Sequence, residues 1–118
     1  MSSEPDMELY DLRVTVEEIG GRPVCGLAVG DYFELTNSSQ LRLPANGHFC
    51  LYALAAALPL LPAKQRPTHE NDWMTSDEYV ADPDPNCGAV YRITRTGKTV
   101  FRRADVTATP PPSSSSDQ

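Results

Sequence analysis

Cys50 is the residue of this chain whose surroundings most invite chemistry. It follows Asn46-Gly47-His48-Phe49 and opens an apolar stretch that runs on to Leu58. A helix beginning there would present unpaired N–H groups and a partial positive charge, which stabilise a thiolate. His48, two residues earlier, is of the right type to serve as a base or a metal ligand. With Asp82 as a third group, Cys50 and His48 would make a small enzyme acting on a small metabolite or a carrier-bound intermediate. Cys25 and Cys87 are the other thiols, and Cys25, Cys50 and Asp82 form a candidate metal-ligand set. Paired ligands of the C-x₂₋₄-C type, which announce most zinc sites, are absent, so spacing alone gives this reading little. Against both stands a plainer one: Cys50 is a small buried hydrophobe and His48 a loop residue. Because no catalytic constellation is complete, the leading expectation is an accessory or binding protein of a metabolic pathway.

The remaining motifs are quiet. There is no glycine-rich phosphate loop, no G-x-S-x-G elbow and no H-E-x-x-H. Asp82 and Asp84 could pair as acid and base, yet Asp-Pro-Asp-Pro-Asn over 82–86 is ordinary turn chemistry. Arg92, Arg95, Lys98, Arg102 and Arg103 gather near the C-terminus. Strand alternation divides them, Arg92 with Val90 and Thr94, Arg95 with Tyr91 and Ile93. They suit a solvated strand edge better than an anion-binding stripe, although an anionic ligand or carrier domain could use them.

These residues need elements to hold them. Leu12, Val14 and Val16 alternate with Arg13, Thr15 and Glu17, the period of a half-buried strand, which Gly20-Gly21 stops. A second strand is expected at 32–36, entered through Gly30-Asp31, followed by a loop over 37–48. Cys50–Leu58 has high helix propensity and no polar face, which predicts a helix buried on nearly all sides and ended or kinked by Pro59. Residues 63–80 read as irregular around Trp73, with a short helical turn at Ser76–Tyr79. Ala89–Thr94 and Thr99–Val106 read as two strands joined in a hairpin around Thr96-Gly97-Lys98. The expected fold is α+β, a small twisted sheet or partial barrel packed on one apolar helix. Loops at one end of that sheet should gather at the helix start, placing the 82–86 turn near Cys50 with the Gly26–Asp31 turn beside it.

The chain has 118 residues, which suits one domain. The expected division is a flexible N-terminus over 1–7, one domain over 8–107, and a disordered Pro/Ser tail over 108–118. Sixteen acidic against ten basic residues, a formal charge of −6, argue against a general nucleic-acid binder. No secretory signal pattern and no apolar stretch long enough for a membrane are visible, and the three cysteines are odd in number and widely spaced. A reduced, cytoplasmic protein is therefore expected, with a small molecule or a carrier protein as partner.

Leu9–Val16, Gly26, Val29-Gly30-Asp31-Tyr32-Phe33, Gly47, Cys50, Pro59 and Pro83-Asp84-Pro85 together resemble a family of small uncharacterised bacterial proteins. Its members open with an aliphatic strand, carry a Gly-Asp turn, start an apolar helix with a cysteine and close with a Cys-Pro-Asp-Pro turn. The resemblance spans about residues 9–95 and implies a thiol or metal cluster in typical members. Cys50 matches the helix cysteine. Asp82 stands where the turn cysteine would be, and the family's early cysteine falls near Pro23, two residues before Cys25. The resemblance thus implies a fold and a location, with no activity attached.

Overall fold

The computed structural model describes residues 6–76 and 78–112. Two long strands dominate it: β1 (Met7–Ile19) and β5 (Ala89–Phe101), paired antiparallel along their whole length. On the far side of β1 lie β2 (Tyr32–Thr36) and β3 (Gln40–Arg42); on the far side of β5 lies β4 (Tyr79–Ala81). The order is β3-β2-β1-β5-β4, an antiparallel sheet that does not close into a barrel. A helical run of 14 residues lies on one face, so the fold is α+β. It comprises α1 (Leu51–Ala57), a 3₁₀ turn (Leu58–Leu60) and α2 (Leu61–Lys64). A short α3 (Arg103–Val106) follows β5.

Alternation sorts the sheet as expected. Leu12, Val14 and Val16 of β1, Phe33 and Leu35 of β2, and Ala89, Tyr91 and Ile93 of β5 are buried beneath the helix. Val14 sits opposite both Phe33 and Ile93, so these rows interlock across three strands. On the open face Arg13 pairs with Glu34 at 2.8 Å and lies over the Tyr32 ring at 4.3 Å. The split of the arginines also holds. Arg95 lies on the helix side, where its guanidinium donates to the carbonyls of Lys64, the last residue of α2, and of Arg66 just past it, and lies over Tyr10. It is a clamp on a helix end, where a cation belongs, and not part of a solvated edge.

The helix is not buried on nearly all sides. Ala53, Ala57 and Leu61, spaced four residues apart, and Lys64 at the end of the run are covered, while Leu51 and Tyr52 are 70% and 67% exposed. The physical reason is layer count: a helix on one face of one sheet has a single stripe to bury, and the lack of polar residues elsewhere leaves apolar side chains in the open. Pro59 does act as expected, tightening the run into a 3₁₀ turn before it resumes.

The C-terminal hairpin is also corrected. Residues 89–101 form one continuous strand, because β1 offers a partner long enough for all of it. Asp11 opposes Gly97 and Leu12 opposes Arg95, which leaves Thr96 as the extra residue of a bulge. A glycine inside a strand pattern marked a bulge here, not a turn. The expected strand over Thr99–Val106 stops at Phe101 and gives way to α3. The 37–48 loop contains β3, turned back from β2 through Asn37 and Ser38, both at positive φ. The helical turn expected at Ser76–Tyr79 lies earlier, at Trp73–Thr75, and Tyr79 begins β4. Of the tail, 108–112 forms no helix or strand, though Arg103 donates to the carbonyls of Thr109 and Pro110; 1–5 and 113–118 lie outside the described residues.

Candidate functional site

At the start of α1 the surface opens into a cavity of about 570 Å³, lined by Val24, Cys25, Cys50, Leu51, Tyr52, Asp82, Pro83, Asp84 and Cys87. All three cysteines of the chain meet there, drawn from three segments far apart in sequence. The 82–86 turn does reach the helix start, so Asp82 and Cys50 share one cavity.

Each thiol is placed by a different local device. Cys50 is the N-cap residue of α1, extended at φ −74 and ψ 132; its carbonyl accepts from Leu54 N–H, while its side chain makes no capping bond. Phe49 before it anchors the segment by packing its ring edge-on to Phe33 at 4.8 Å and against Tyr91 at 5.9 Å. Cys25 lies in a turn closed by Gly26 N–H on the Pro23 carbonyl, with Gly26 at φ +82, a conformation that favours glycine. Cys87 is buried, 6% exposed, in the turn between Asn86 and Gly88.

That last turn is riveted to the end of β1. Gly20, Gly21 and Arg22 donate in succession to the carbonyls of Gly88, Cys87 and Asn86, at 2.8, 3.0 and 2.9 Å. A side-chain carbon on Gly21 would come within 2.1 Å of the Asn86 carbonyl oxygen. Gly20-Gly21 is legible in sequence as a strand stop. Its second task, letting another backbone approach, has no local signal.

Asp82 is fully engaged. Its Oδ1 accepts from Asp84 N–H at 2.8 Å, the bond that shapes the turn, and its Oδ2 accepts from the Tyr91 hydroxyl at 2.5 Å. Asp84 repeats the device, accepting from Asn86 N–H. Tyr91 has no exposed surface. Burial, and then its bond to the Asp82 carboxylate, push its phenol well above the usual range. Asp82 thereby holds turn and core together with both oxygens. The sequence identified Asp82 but not Tyr91, which reads only as an inward-facing strand residue.

His48 points elsewhere. Its Nε2 lies 2.9 Å from the Cys25 carbonyl, which fixes the proton on Nε2, and the residue is absent from the cavity wall that holds Cys50. The ring ties the Cys25 turn to the segment that leads into α1. Its near neighbours are the Gly30–Tyr32 and Pro44–Gly47 segments, which line a smaller adjacent depression.

Among the thiols, burial comes first in pushing the Cys25 group above its ordinary value. The Leu27 N–H works against it, while a hydrogen bond to Cys50, and repulsion from Cys50 and Cys87, add to it. Cys25, Cys50 and Asp82 thus line one cavity. Among the described residues, however, no three His, Cys, Asp or Glu side chains come together so as to hold a metal ion. Apart from Asp84 and Cys87, the rest of the wall is apolar: Val24, Leu51, Tyr52 and Pro83. No helix among the described residues is long and apolar enough to cross a membrane. Comparison of the chain with protein-family models, with curated proteins and with solved structures finds no match.

Proposed function

We propose that this chain is a binding or accessory protein that holds a small, largely apolar molecule in the cysteine-lined cavity. The observation that carries the reading is the wall itself. Val24, Leu51 and Tyr52 are large apolar side chains, 80%, 70% and 67% exposed, converging on one concavity. Leaving them in water forgoes the transfer free energy of apolar surface, about 25 cal/mol for each Å² left uncovered. Concave apolar sites with a few polar groups at the rim are the usual form of small-ligand pockets, and Asp84 and the thiols supply that rim here.

The catalytic reading of Cys50 with His48 and Asp82 has weaker support, because the base and the carboxylate are both spent on structural hydrogen bonds. A neutral solvatochromic dye such as Nile red tests the binding reading. Saturable uptake by the full chain, with one dye per chain, is expected. Leu51→Glu, at an exposed position, should abolish the uptake without altering the fold by circular dichroism. Uptake that is unsaturable, or unchanged in Leu51→Glu, would overturn the proposal.

A further inference from the structure

We propose that Cys25 and Cys50 are a redox-reactive pair that joins in a reversible intramolecular disulfide when the chain meets a peroxide, with Cys87 left out. The two thiols face one cavity, and the His48 ring on the Cys25 carbonyl ties the Cys25 turn to the segment that leads into Cys50. Both are half-buried, whereas Cys87 is closed into the core. Neither residue lies within a helix or a strand. Cys25 sits in a surface turn, and Cys50 has no side-chain capping bond to surrender. Cys87 differs, since its turn is held by consecutive backbone bonds to Gly20, Gly21 and Arg22.

The chemistry balances in two steps. The Cys50 thiol is oxidised by hydrogen peroxide to the sulfenic acid, releasing one water. The Cys25 thiol then attacks that sulfur, the S–S bond forms, and the hydroxyl leaves with the Cys25 proton as a second water. Burial keeps the Cys25 thiol protonated to higher pH than an ordinary cysteine, so peroxide oxidises it less readily, and it enters second, attacking through its thiolate fraction. The new bond would tie the 23–26 turn to the start of α1 at the wall of the cavity. The inference rests on the placement of the thiols and not on the ligand reading above, so either can fail alone.

The test is oxidation of the reduced full-length chain with hydrogen peroxide at one equivalent, followed by intact mass and tryptic mapping. Cleavage after Arg42 and Lys64 places the three cysteines in separate peptides. The expected result is a monomer lighter by two hydrogens, with the Cys25 and Cys50 peptides linked and both released by dithiothreitol. Cys87→Ser should give the same link, and Cys50→Ser should give none. A link through Cys87, a disulfide between two chains, or stepwise gain of oxygen at single cysteines would each overturn the proposal.

Discussion

Gly21→Ala is the substitution that most directly tests how the cavity is held. The added carbon would lie 2.1 Å from the Asn86 carbonyl oxygen, 2.9 Å from its carbonyl carbon and 3.0 Å from the Cys87 oxygen, all main-chain atoms. An ordinary carbon-to-oxygen contact needs a separation larger by roughly 1 Å, so one of the two chains must retreat by about that much. A retreat of that size carries the three bonds from Gly20, Gly21 and Arg22, now 2.8–3.0 Å long, beyond hydrogen-bonding range. At about 0.5–1.5 kcal/mol net for each bond, the loss comes to roughly 2–4 kcal/mol. Gly20→Ala is the internal control. Its added carbon would meet only the Gly88 oxygen at an ordinary 3.4 Å, and the cost should stay within about 1 kcal/mol. Urea denaturation of both variants, compared at equal m-value, reads the difference. Because the Cys87 turn is what detaches, Cys87 should also become reactive toward a maleimide in Gly21→Ala while it stays protected in Gly20→Ala. Equal stability of the two variants, or a Cys87 that stays protected in Gly21→Ala, would refute the account of a backbone clamp.

Asp82→Ala should destabilise the chain by about 1–3 kcal/mol in urea, because the buried Tyr91 hydroxyl loses its acceptor; Asp82→Asn, which keeps an acceptor, should cost less. Tyr91 keeps its proton in the fold to higher pH than in the unfolded chain, where it titrates near ~10. The stability it contributes is therefore whole below about pH 10 and is lost as pH rises beyond that, and Tyr91→Phe should flatten that part of the fall in a melting-temperature series. Arg95→Lys, which cannot donate from two nitrogens of one plane to the carbonyls of Lys64 and Arg66 at the end of α2, should cost about 1–2 kcal/mol and speed amide exchange at the end of the helical run. Cys25, its thiol pushed up chiefly by burial, should alkylate more slowly at neutral pH than a free cysteine and gain rate at a higher pH than that thiol does.

The local grammar of the chain was readable without coordinates. The alternation in Leu12–Val16, the turn at Gly30-Asp31 and the effect of Pro59 each depend on residues a few positions apart, and each stands in the structure. The Asp-Pro-Asp-Pro-Asn turn was readable for the same reason, since its bonds run from Asp82 to Asp84 and from Asp84 to Asn86. Its approach to the Cys50 helix followed from packing economy, one apolar helix against one sheet. What the sequence could not express is who pairs with whom over long distances. Thr96-Gly97 looks the same as a hairpin turn and as a bulge until a thirteen-residue β1 is present to hold β5 straight. His48 looks like a base for Cys50 until the Cys25 carbonyl is found at its Nε2. Cys87 and Gly21 come together only through a contact between distant parts of the chain, Tyr91 joins the site only where strand β5 folds back against the 82–86 turn, and the apolar helix showed its open side only once a single sheet layer was there to cover the other. Sequence periodicity determined which faces are apolar, because that depends on side chains a few residues apart. Tertiary structure decided which of those faces stayed in water and which thiols met, because burial and proximity depend on partners that only the folded chain supplies.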